Sequence, residues 1–176
     1  MKRLFAIILA VLVITAALAA CGSGNSDSGS TPDPNREVKT SVSQKYNDDF
    51  AKNYAKSTTT DDKGNVSYEF IGSQYDEYIE AHKKSLAIDL EKDISSKHDE
   101  KFGQYAYINI EQKAVIIGVN PGQYDEASAK AEAAGYAEYG FKYFMSLENP
   151  VNTISVIYAN ANDQSDVYGS FEFTAE

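Results

Sequence analysis

The sequence predicts an α+β domain: an antiparallel sheet of three hairpins with two long helices on one face, and a further helix at its N-terminal side. Two segments, 74–96 and 125–147, repeat apolar residues at helical spacing. Three pairs of short β-branched and aromatic runs are each joined by turn residues. Their order is hairpin, helix, hairpin, helix, hairpin, which suits one sheet with both helices on the same side.

Val38, Val42, Tyr46, Phe50 and Tyr54 recur at four-residue steps, and this predicts an amphipathic helix over 38–55. Asp61-Asp62-Lys63-Gly64-Asn65 is turn chemistry between the threonines at 57–60 and the alternating run Val66–Ile71, which reads as the first hairpin. Ser73 is the expected N-cap of the helix 74–96, with Asp76 and Glu77 in its first turn. The apolar stripe of that helix is Tyr75, Ile79, Leu86, Leu90 and Ile94, and His82 shares it as a half-buried side chain.

A second hairpin joins 105–110 to 114–119 through Glu111-Gln112-Lys113. The Ala-rich helix 125–147 ends before Asn149-Pro150, and the last hairpin pairs 153–158 with 167–173 around a polar loop at 160–166. Gln-Tyr-Asp-Glu occurs at 74–77 and again at 123–126, each time where a strand gives way to a helix, as a duplicated unit would have it.

The charge balance sets limits on partners. There are 16 basic and 26 acidic residues, a net charge of −10. Nucleic acid is not expected as a partner, since phosphate binding needs a basic face, and neither is a polybasic grip on anionic lipid. One Cys and two His leave no disulfide, no paired-Cys motif and no cofactor or metal to expect. Asp48-Asp49, Asp61-Asp62 and Asp76-Glu77 are sequence neighbours, which point apart on a helix and suit turns better than a catalytic pair. His98 lies in the charged stretch 97–101 and reads as loop surface.

The N-terminus carries the most specific signal. Lys2 and Arg3 precede an uncharged run from Leu4 to Ala20, the plan of a secretory signal. The run is also at the lower limit for a membrane span, so length alone does not separate cleavage from a retained anchor. Leu18-Ala19-Ala20-Cys21 resembles the lipobox of bacterial lipoproteins. The resemblance implies a diacylglyceryl group on the Cys21 thiol and cleavage between Ala20 and Cys21, with Leu18, Ala19 and Ala20 recognised by the signal peptidase. It covers residues 1–21 only. Three regions follow: a signal peptide at 1–20, a lipidated Cys21 with a Gly/Ser/Pro tether to residue 37, and a folded domain at 38–176. The expected place is the extracytoplasmic face of a cell membrane, reached through diacylglyceryl-Cys21, with the body a monomer.

Tyrosine is abundant at 13 residues, while Trp is absent. Tyr105 and Tyr107 alternate with Ala106 and Ile108, so they line the open side of their strand if the aliphatic side packs on the helices. They are the candidate binding face, for an envelope protein or a glycan. The expected function is therefore a non-enzymatic binding module. A carboxylate-dependent envelope hydrolase and an inhibitor or immunity-like protein are the alternatives.

Overall fold

The computed structural model describes residues 33–98 and 103–175. The signal segment 1–20, the Leu18–Cys21 motif and the tether as far as residue 32 lie outside the described residues. The α+β class holds, but the strands form two sheets instead of one.

The first sheet contains β1 (Glu37–Val42), β2 (Ser57–Thr60) and β3 (Val66–Ile71) in the antiparallel order β1-β3-β2. The helix expected over 38–55 is absent. Val38, Thr40 and Val42 are buried while Glu37, Lys39 and Ser41 are exposed, an alternation of two that the β-branched side chains favour over a helical turn. The four-residue spacing of the apolar residues coincides with this alternation from Val38 to Val42, and beyond it only a short 3-10 turn forms, Phe50–Asn53. Lys39 Nζ lies 2.7 Å from Glu69 Oε1, and Ser57 Oγ donates to Glu69 at 2.8 Å, so a polar row crosses the outer side of this sheet.

Helix α1 (Gly72–Lys97) follows β3 directly. Its stripe Tyr75, Tyr78, His82, Leu86, Leu90 and Ile94 is buried, at three- and four-residue steps. Ser73 is not the cap. Ile71 occupies that position, and the first amides are satisfied by preceding backbone: Gly72 N–H donates to Arg36 O at 2.8 Å and Ser73 N–H to Pro34 O at 2.9 Å. Asp76 takes a bidentate Arg36 guanidinium at 2.8 and 3.3 Å. The helix is 26 residues long, hence about 39 Å, enough to carry the chain from one sheet to the other.

The second sheet is β4 (Gly103–Asn109), β5 (Ala114–Val119), β6 (Thr153–Asn160) and β7 (Asp163–Thr174), in chain order. β4/β5 and β6/β7 are the expected hairpins, the last one tighter than expected, with Asn160 opposite Asp163. β5 and β6 are parallel, which corrects the all-antiparallel sheet. Helix α2 (Glu126–Phe144) returns the chain between them, as a crossover must. All six residues of β5 are buried, the pattern of a central strand covered on both sides.

Asp125 caps α2 by accepting the Ser128 N–H at 2.9 Å. Gly140 lets α2 approach closely, because a Cβ there would meet Ile154 Cδ1 and Val115 Cγ2. The Gln-Tyr-Asp-Glu repeat does not mark equivalent places. The first copy lies inside α1, while the second ends on the first residue of α2.

Two core clusters result. One joins sheet one to the start of α1 through Val38, Tyr68, Phe70, Tyr75 and Tyr78. The larger joins sheet two, α2 and the rest of α1, around Leu90, Ile117, Tyr136, Phe144 and Tyr158. Ile79 packs against both. Most buried tyrosines have a partner for the hydroxyl: Tyr68 donates to Asn47 Oδ1, Tyr136 to Glu132 Oε2, and Tyr158 to Ala129 O.

Candidate functional site

Both helices pack on one side of the second sheet; on the other side the middle positions Ala114, Ile116, Gly118 and Ala159 are buried, while Tyr105, Tyr107 and Ile157 are half-buried and Val167, Ser170 and Glu172 exposed. The strand pairings place three rows across this second side. Tyr107, Ile116, Ile157 and Ser170 form the middle row. Tyr105, Gly118, Ala159 and Val167 lie on one side of it, and Asn109, Ala114, Ser155 and Glu172 on the other. The aliphatic residues of β4 do face the helices, since Ala106 and Ile108 are buried, and Tyr105 and Tyr107 are half-buried on the opposite side. Ile110, past the end of β4, is exposed and takes no part in the aliphatic side.

The two tyrosines are fixed in place. Tyr105 lies over Gly118 of the neighbouring strand, where any Cβ would run into its ring. Its hydroxyl donates to Asn160 O at 3.4 Å, two strands away. The Tyr107 hydroxyl donates to Gln164 Oε1 at 3.0 Å, so the tip of the last hairpin reaches the aromatic pair. The rings are 6.0 Å apart, tilted by 41°. Burial, and then the neighbouring Tyr107, raise the Tyr105 hydroxyl above its ordinary pKa. Gly118, Ile157, Asn160, Gln164 and Val167 were not singled out by the sequence. Only the strand register shows that they share this face.

The histidines are structural in placement. His82 is 1% exposed, stacked between Phe50 and Tyr78 at ring distances of 5.1 and 5.2 Å. Its Nε2 is 2.8 Å from Asp48 Oδ2, while Nδ1 is buried without a partner. Burial opposes charge on Asp48, but the His82 hydrogen bond and charge, the Phe50 N–H and Lys142 outweigh it and hold the carboxyl below its ordinary value. A ring this enclosed offers no nitrogen to a substrate. His98 is not loop surface. Its Nε2 lies 2.7 Å from Glu132 Oε2, which also accepts from Tyr136, so it ties the end of α1 to α2.

The acidic neighbours serve turns and surface pairs. Asp61 accepts the Lys63 and Asn65 amides, Asp49 meets Lys52 at 2.9 Å, and Asp76 holds Arg36. Among the described residues, no group of three or more His, Cys, Asp or Glu converges to hold a metal ion. Among them, too, no helix is long and apolar enough to cross a membrane. One hollow, bounded by Lys39, Tyr68, Glu69 and Pro150, lies on the first sheet, away from the tyrosine face. No family model, curated protein or solved structure matches the chain.

Proposed function

We propose that the chain is a lipid-anchored, extracytoplasmic binding module without catalytic activity, held at the membrane through diacylglyceryl-Cys21. The Leu18–Cys21 motif supports the anchor, and the charge of −10 supports a body kept off anionic lipid by a tether. The binding role rests on one observation. Tyr105 and Tyr107 stand half-buried on the side of the second sheet away from the helices, with both hydroxyls hydrogen-bonded and neither ring in a core cluster. Rings immobilised before binding lose little entropy on contact, and they bring large area with a polar tip. The partner is an envelope protein or a glycan, taken up by a monomer.

The test compares the full chain with its Tyr107→Ala variant, each used to capture partners from its native cells, alongside thermal unfolding. The expected result is loss of the captured partner with a nearly unchanged unfolding midpoint. A lowered midpoint with the partner still captured would overturn the reading, because the tyrosine would then serve the fold alone.

A further inference from the structure

The two sheets have four edge strands, β1, β2, β4 and β7. Shortness, charged edge residues, irregular pairing and cover are what keep a foreign backbone from pairing with an edge. β2 is four residues long, all Ser or Thr. β1 exposes Glu37 and Lys39. β4 packs on α1 and is irregular between Gly103 and Tyr105. β7 is the longest strand, and from Gly169 to Thr174 its pairing with β6 runs unbroken. That stretch has no Pro and no Lys, and among the described residues no backbone bond from another element reaches it. Along its far side, alternate N–H and C=O groups point away from β6.

The side chains of this stretch alternate. Phe171 and Phe173 lie opposite the buried Val156 and Ile154, on the helix side, and are half-buried against the larger core. Ser170, Glu172 and Thr174 are exposed on the other side. A strand added here would set two of its residues beside Phe171 and Phe173, closing the part of each ring that is still open. The residue between those two would stand directly opposite Glu172.

We infer that the Gly169–Thr174 edge of β7 adds a strand from another protein, one that reads apolar, basic, apolar opposite Phe171, Glu172 and Phe173. The free ladder selects an extended backbone, and the two Phe side chains select the apolar positions. Glu172 is the only charge on this stretch, in a chain of net charge −10, and selects a Lys or Arg. The same charge disfavours a second copy of this chain, which would meet its own field. β7 is at the opposite edge of the sheet from β4, so the site is separate from Tyr105 and Tyr107 and does not depend on the binding-module reading.

The experiment uses the isotope-labelled full chain in uncharged detergent, followed by amide chemical shifts and hydrogen exchange. It is titrated with a short capped peptide of alternating Val and Arg. Two controls of equal length are the same peptide N-methylated on every backbone nitrogen, and one of alternating Val and Glu. The Val/Arg peptide is expected to bind saturably, with shifts and slowed exchange centred on Gly169–Thr174. N-methylation should abolish binding, because it removes the donors that the ladder needs. The Val/Glu peptide should bind about tenfold more weakly. Glu172→Gln, which keeps the shape of the side chain, should weaken the Val/Arg peptide about threefold. Equal binding of the N-methylated peptide would overturn the inference, since side chains alone would then make the contact. Shifts centred on Tyr105 and Tyr107 would overturn it and leave the binding-module reading standing. Slowed exchange at Gly169–Thr174 that grows with protein concentration, without peptide, would make a second copy the occupant and overturn it too. So would the absence of saturable binding by the Val/Arg peptide.

Discussion

Asp48 Oδ2 lies 2.8 Å from His82 Nε2, and this bond fastens the loop after β1 to the middle of α1. It forms one turn beyond Ile79, where the two core clusters meet. The His82 ring is closed in by Phe50, Tyr78 and Tyr143. Removing the carboxylate therefore leaves an enclosed imidazole with neither nitrogen partnered.

Asp48→Ala is expected to cost about 1–3 kcal/mol, as for a buried polar group left unsatisfied. His82→Ala should cost about 2–4 kcal/mol, because the stacked ring is lost as well. The double variant should fall short of the sum by about 1 kcal/mol or more, measured from urea unfolding. Additive costs would mean that the pair contributes nothing beyond its separate packing.

Acid should expose the same bond. The folded pKa of Asp48 is depressed below the ordinary 3.8, so its contribution is complete above that value and is lost as pH falls through the lower folded value. Asp48→Asn keeps the shape without the charge. The stability gap between wild type and this variant should close as pH falls below about 4. A gap that persists or widens in acid would contradict the assigned charge state.

Gly118 should tolerate no side chain while Tyr105 lies over it. Gly118→Ala should destabilise by about 1–3 kcal/mol through forced displacement of the ring. Adding Tyr105→Ala should recover part of that loss, since the obstacle is then gone. Thermal unfolding of the three variants checks this, and an unrelieved loss would place the strain elsewhere in the strand.

Arg36 gives a contrast between side chain and backbone. The Arg36–Asp76 bridge is solvated, with Asp76 57% exposed, so Arg36→Ala should cost no more than about 1 kcal/mol. Deleting residues 33–36 also removes the carbonyls that accept the Gly72 and Ser73 amides. That deletion should cost about 0.5–2 kcal/mol more, in the range of a lost helix cap. Equal effects would show that the backbone cap contributes little.

Cys21→Ser should abolish incorporation of labelled fatty acid and leave an unprocessed precursor, because the thiol is the acceptor that the lipobox resemblance implies. Label retained on the serine variant would end the lipoprotein assignment.

Helices α1 and α2 were legible because their apolar residues keep helical spacing over many turns, and the hairpins because turn residues separate short β-branched runs. The stretch 38–55 misled because Val38 and Val42 satisfy a four-residue step and a two-residue step alike. Thr40, buried between them, was the discriminating residue. The two-sheet arrangement was harder to see. The continuous apolar run of β5 marked a central strand, but nothing local says that β6 joins it in parallel after a helical crossover. In the candidate site, the strand alternation of Tyr105 and Tyr107 could be read directly. Their partners Gly118, Asn160 and Gln164 come from strands that only the register brings alongside. His98 misled in the same way, since Glu132 stands 34 residues further on.

The division of α1 between two clusters also sets an order of assembly. Synthesis delivers the chain from its N-terminal end. Every buried member of the smaller cluster has been made by Tyr78, so that cluster can close while most of the second sheet does not yet exist. Leu86, Leu90 and Ile94 emerge soon afterwards, but α1 packs there on β4 and α2, which are made later. The second half of α1 is therefore an apolar stripe waiting for β4 and α2. In the newborn protein it is the segment most in need of shielding from other chains.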